Sequence, residues 1–122
     1  MNQNIKREWV AALRSGDYEQ GTGKLKMESD NSKGVCFCCL GVLTDLYAKE
    51  KNLTFGYSDN KLKAKDEEEY LCGDVMKWAG LSSKDPEVRV DATDESDNCS
   101  LSYYNDNGHD FAEIATLIEN NL

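Results

Sequence analysis

Ile5, Trp9, Ala12 and Leu13 recur at helical intervals in an otherwise polar stretch, so they mark one stripe of an amphipathic helix. Asn2 or Asn4 can cap its start, and Ser15-Gly16 supplies a stop because glycine accepts the left-handed C-terminal conformation. Leu25 and Met27 then alternate with Lys24 and Lys26, which predicts a first strand over residues 18–26. A polar loop over 28–34 and a second strand over 35–38 complete a hairpin. Leu40, Leu43, Leu46 and Tyr47 place a second helix over 40–51, ended at Asn52. Residues 53–65 read as a turn with a short edge strand, and the charge run 66–69 as exposed. Leu71, Val75, Trp78 and Ala79 predict a short third helix over 71–81, closed by Gly80. Residues 82–100 carry Pro86, a short strand at 88–90 and then an exposed acidic loop. Tyr103 and Tyr104 precede the turn residues 105–108. Asp110 and Glu113 have capping-box spacing, so Asp110 should start a last helix, with Phe111, Ile114, Ala115, Ile118 and Leu122 along its apolar face.

These elements alternate irregularly, without the spacing of repeated βαβ units. The expected fold is therefore a single α+β domain over residues 1–122. A small, mainly antiparallel sheet should pack with three to four helices, and Trp9, Leu43, Leu46, Trp78, Ile114 and Ile118 should be in the core. A chain of 122 residues is long enough to bury about two-thirds of its unfolded surface without staples.

Charge changes the picture more than composition does. The net charge is -9, but residues 1–65 carry +3 and residues 66–122 carry -12. An acidic half repels phosphates, so direct nucleic-acid binding through that half is not expected. It can instead solubilise the chain or steer it toward a basic partner. No run approaches the ~18 apolar residues of a membrane span. The N-terminus leads into an amphipathic helix, not an apolar signal core, so a cytoplasmic setting with reduced thiols is expected.

Five cysteines and one histidine set the candidate chemistry. Cys36, Cys38 and Cys39 crowd the entrance of an apolar run, and neither half of a paired zinc-ligand spacing exists. They read as buried thiols, free cysteine being a small hydrophobe, and no metal or cofactor is expected. Cys38 or Cys39 near a helix N-terminus has the position of a nucleophile, but His109 is the sole histidine and lies in a turn. No recognised catalytic spacing follows, so the expectation is a protein without catalysis. Gly21-Thr22-Gly23 matches no phosphate-binding pattern and reads as a bend or a close strand approach. Tyr103 and Tyr104 beside Asn105 and Asp106 are better binding candidates, because rings and amides in a loop can stack and hydrogen-bond.

Several blocks in order resemble a family of small uncharacterised proteins of bacteriophages and prophages. They are residues 9–16 beginning at Trp9, 18–25 with Gly21-Thr22-Gly23, 37–46 with Cys38-Cys39-Leu40-Gly41, 75–81 with Trp78, and 105–119 with Asn105-Asp106-Asn107-Gly108 and Phe111. The chain departs from that pattern in its long 28–33 loop and in Asp110, where serine is commoner; either residue can cap a helix. The resemblance implies a phage-borne accessory protein in the bacterial cytoplasm, acting on a host process or defence system. It carries over no catalytic residue.

Two functions follow as expectations. The first is binding of a host macromolecule, as an anti-defence inhibitor would bind it, through Asp91, Asp94 and Asp97 or through Tyr103, Tyr104, Asn105 and Asp106. The alternative is binding of a small nucleotide-like ligand in a cleft of Gln20, Gly21, Thr22, Gly23, Asn105 and Asp106.

Overall fold

The computed structural model describes residues 1–28, 34–53, 70–90 and 98–122. The first helix, α1 (Gln3–Arg14), starts where the Asn2 side chain accepts hydrogen bonds from the amides of Asn4 and Ile5, at 2.9 and 3.1 Å. That satisfies two of the donors a helix start leaves orphaned. Its inner stripe buries Ile5, Trp9, Val10 and Leu13, and Gly16 turns the chain away at φ +80°.

The segment read as one strand over 18–26 is two. β1 (Glu19–Gln20) lies parallel to β3 (Val35–Phe37), while β2 (Lys26–Glu28) lies antiparallel to β3 on its other side. The sheet order is β1-β3-β2, so the hairpin expected from the sequence holds only for β2 and β3. Two glycines explain the break. A Cβ on Gly21 would stand 2.6 Å from Cys36 Sγ, and Gly23 adopts φ +88°. The chain therefore leaves the sheet after Gln20, turns through the left-handed region where glycine is favoured, and re-enters across β3.

A second, two-stranded sheet pairs β4 (Glu87–Arg89) with β5 (Asn98–Ser100), Val88 opposite Cys99. β4 is the short strand expected at 88–90, one residue earlier, with Val88 buried, whereas β5 falls at the end of the stretch read as an acidic loop. The loop proper, with Asp91, Asp94 and Asp97, lies outside the described residues.

Around these sheets pack α2 (Cys39–Glu50), α3 (Gly73–Ala79), α4 (Leu101–Asp106) and α5 (Phe111–Asn121). The class is α+β, as expected, with five helices among the described residues. The added one is α4, which occupies the positions read as a tyrosine pair and a turn. Its two buried residues are Leu101 and Asn105, and an asparagine at the second inner position hides the helical repeat from a hydrophobicity reading. Ser100 caps it by accepting from the Tyr103 amide.

The core centres on α2, from which Cys39, Leu40, Val42 and Leu43 are fully enclosed, with Trp9, Val75, Leu101, Ile114 and Ile118 around them. Asp110 caps α5 as expected, accepting from the Glu113 amide at 2.9 Å. Leu46 and Trp78, expected in the core, are only half-buried at its margin. Trp78 packs edge-on against Tyr47 and donates its indole N–H to Glu50 at the surface, a polar need that full burial would leave unmet.

Gly41 sets the spacing between α2 and the β1–β2 turn. A Cβ built there would lie 1.7 Å from the Leu25 carbonyl oxygen, which is backbone and cannot swing aside. On an unpacked helix, glycine to alanine adds stability. Here the sign reverses. Gly41→Ala should lower stability by about 1–3 kcal/mol or more, read as a loss in urea midpoint, because overpacking forces a backbone shift. An equal or higher midpoint would show that the turn does not rest on this glycine.

Candidate functional site

Asn105 is 1% exposed, and a buried amide must find partners within the protein. Its Nδ2 donates to the Gly21 carbonyl at 2.9 Å and to Asp106 Oδ1 at 3.0 Å. Its Oδ1 accepts from the Cys39 amide at 3.1 Å and from Gln20 Nε2 at 3.0 Å. The Cys39 amide is the first of α2, whose N-cap residue Cys38 offers no side-chain capping bond. Asn105 thus caps α2 from a different helix. Gln20 Nε2 also donates to the His109 carbonyl at 2.8 Å, and the Gly23 amide donates to Asp106 Oδ1 at 3.1 Å.

Gln20, Gly21, Gly23, Asn105 and Asp106 therefore come together, as the sequence reading expected. What they mainly contact is one another. An asparagine side chain has two donor hydrogens and one acceptor oxygen, and all three are engaged by protein groups. Gln20, Asn105 and Asp106 also line a shallow cavity of about 330 Å³ with Thr22, Gly108, His109 and Asp110.

The thiols lie beneath it. Cys36, Cys38 and Cys39 are buried, Cys72 and Cys99 half-buried. Burial pushes the Cys38 thiol up to about 12, only partly offset by the amides of Gly41 and Leu40, and the Asp106 and Asp85 carboxylates add to the rise. Burial drives Cys39 well above its ordinary value too, with Cys38 and Asp85 contributing. A helix N-terminus activates a cysteine only where the thiolate is tolerated, and here desolvation wins. Among the described residues no group of three or more His, Cys, Asp and Glu is arranged to hold a metal ion.

The outer face of α4 is different. Tyr103 is 63% exposed and Tyr104 half-buried, so the pair diverges around the helix. Tyr104 stacks on His109 with ring centres 3.6 Å apart, and the His109 Nδ1 lies 3.0 Å from Glu113 Oε2. Burial first, then the Glu113 carboxylate, raises the Tyr104 phenol. Glu113 thus turns to His109 instead of closing the capping box expected from its spacing.

Two cavities flank Tyr103. One, of about 290 Å³, is lined by Asp85, Asp106, Ser102 and Cys38 among others; the second, of about 450 Å³, includes Glu87, Asn98, Cys99 and His109. Among the described residues lining either, none is lysine or arginine. Asp85 reaches this face by holding the start of α4, accepting from the Ser102 amide at 3.0 Å and its hydroxyl at 2.5 Å.

Asp85, Ser102 and Glu87 were missed by the sequence reading. Asp85 stands before Pro86, a pairing that signals a turn, but nothing linear ties it to a helix seventeen residues on.

The chain belongs to the family described as Domain of unknown function (DUF8296), whose model matches residues 1–122. No curated protein and no solved structure matches it. No helix among the described residues is long and apolar enough to cross a membrane.

Asn105→Ala should cost about 3 kcal/mol or more in urea unfolding, since the Cys39 amide and Gly21 carbonyl would each be left unpaired at about 1–3 kcal/mol. A loss below about 1 kcal/mol would show that these groups find other partners. The thiols predict a pH dependence. An unfolded Cys38 loses its proton near its ordinary 9.0, whereas the folded one keeps it to about 12. A raised folded value leaves stability untouched below the unfolded value and erodes it as pH climbs between the two. Urea midpoints should therefore fall between pH 9.0 and about 12, and less steeply in Cys38→Ala. Equal slopes in the two proteins would show that Cys38 ionises as readily folded as unfolded.

Proposed function

We propose that the chain is a phage-type accessory protein that docks, without catalysis, on a basic surface of a host macromolecule in the bacterial cytoplasm, as an anti-defence inhibitor would. The observation that carries this reading is Tyr103, 63% exposed between two cavities whose described linings carry Asp85, Asp106 and Glu87 and no lysine or arginine. Tyrosine is a favoured anchor of protein interfaces, combining a broad apolar ring with a hydroxyl and few rotatable bonds. Carboxylates around it choose partners of opposite charge and speed their encounter. The -12 carried by residues 66–122 has the same sign as this face. The phage setting rests on the resemblance of the chain's sequence blocks to small phage and prophage proteins.

The nucleotide-like alternative is less well supported. Its cleft is built from groups already bonded to one another, and Asp106 and Asp110 at its mouth would repel a phosphate. Catalysis is disfavoured on chemical grounds. His109 is stacked on Tyr104 and paired with Glu113, and the thiol at the start of α2 is held in its neutral form.

Pulldown from bacterial lysate, followed by binding kinetics on the captured partner, tests this. Tyr103→Ala should weaken binding about tenfold or more, as loss of a central aromatic anchor does. Its exposure means that the fold should be unaffected. Glu87→Lys should slow association, and raising salt from ~0.05 to ~0.5 M should slow the wild type. A partner that binds both variants as the wild type, with no salt dependence, would remove this face from the interaction.

A further inference from the structure

We infer that the cavity of about 290 Å³ beside Tyr103 is a receptor for a single organic cation, the ammonium or guanidinium head of a lysine or arginine side chain on the partner. This rests on the docking reading above and names what that partner must insert. Two carboxylate residues, Asp85 and Asp106, line the cavity together with Ser102 and Tyr103. A guanidinium offers flat, forked donors to carboxylates and stacks on an aromatic face; an ammonium does both less specifically.

The two carboxylates are fixed before any ligand arrives. Asp85 is held by the Ser102 amide and hydroxyl, and Asp106 Oδ1 by the Gly23 amide and Asn105. Neither needs reorganisation to receive a cation, which is where preorganised sites gain affinity. The sequence pair that supplies them, Asp85 before α4 and Asp106 at its end, lies at opposite ends of a six-residue helix. Both also add to the rise of the Cys38 thiol, another residue that lines the cavity, although burial is the main cause. One internal cation is close: Lys84 Nζ stands 5.0 Å from the centre of the Tyr70 ring, another wall residue. Lys84 does not itself line the cavity, and its place on Tyr70 leaves Tyr103 as the ring for an incoming head group.

Agmatine, which carries a guanidinium and an ammonium, is the probe, with the neutral butylurea as its control. Titration into isotope-labelled protein should move the amide signals of Ser102, Tyr103, Asp106 and Gly23, and butylurea should not. Asp106→Asn keeps an acceptor oxygen for the Gly23 amide but removes the charge. It should weaken agmatine about tenfold, the loss expected for a charge-assisted hydrogen bond. Tyr103→Leu, at an exposed position, should also weaken it and keeps the test valid if Asp106→Asn fails to fold. Glu8→Gln, on the exposed side of α1 away from this face, should leave it unchanged. Shifts spread evenly over acidic positions, equal response to butylurea, or binding untouched by Asp106→Asn and Tyr103→Leu would overturn the assignment. If agmatine fails while partner capture still depends on Tyr103, the cation receptor falls and the docking reading stands. If agmatine binds as described but no Tyr103-dependent partner exists, the docking reading falls and the receptor stands.

Discussion

A single buried amide constrains this fold. Asn105 lies in the interior with two donors and an acceptor that water cannot reach, so the chain must bring partners to it. It brings them from three places: Gln20 and Gly21 at the end of β1, Cys39 at the start of α2, and Asp106 beside it. The residue type is dictated by this pattern. An aspartate has no hydrogens to give the Gly21 carbonyl, and its charge would face the Asp106 carboxylate. A leucine would leave the first amide of α2 without its cap. The parallel placement of β1 beside β3 and the seat of α4 on the core are therefore one arrangement.

The same network shows which parts of the fold were legible in the sequence. Helices with an apolar repeat and a local cap could be read from the chain alone: α1 from Asn2 and its Ile5–Leu13 stripe, α5 from Asp110 and Phe111 onward. α2 and α3 were placed within a residue or two. What failed depends on partners distant in sequence. The 18–26 strand broke because Gly21 packs on Cys36 and Leu25 on Gly41, contacts that no alternation pattern records. α4 was invisible because six residues make a helix too short to persist unaided. It is held by Ser100, by Asp85 reaching the Ser102 amide, and by the polar Asn105 at its inner face.

The candidate site was legible in its members and illegible in its roles. Gln20, Gly21, Gly23, Asn105 and Asp106 lie together in the fold, and they were grouped in the sequence because turn residues and amides are the types that bind polar groups. Composition cannot tell whether those groups bind a ligand or each other. Packing decides, and here it turns most of them inward. Tyr103 was chosen for being aromatic in a loop; it is in a helix, yet it keeps the exposure that made it a candidate. Asp85 had no signal, since its importance comes only from where α4 begins.

The buried network and the face proposed for docking are coupled through α4. Tyr103 and Asn105 are two residues apart on this short helix, one exposed and the other enclosed. Every bond that Asn105 makes to β1 and α2 fixes the backbone from which Tyr103 projects. Asp85 and Asp106 do double work, each holding a backbone amide while giving its charge to the cavity beside that ring. Ordering a loop on binding would cost conformational entropy at the moment of association, about 1–2 kcal/mol for each backbone residue fixed. Here folding has already ordered the residues that bear Tyr103. A partner docking as proposed would meet the unavoidable loss of rigid-body freedom, its own ordering and the desolvation of the carboxylates, but no ordering of this segment. The buried polar network, which takes the ligand role away from Asn105, is what gives the tyrosine and carboxylates above it a fixed geometry to present.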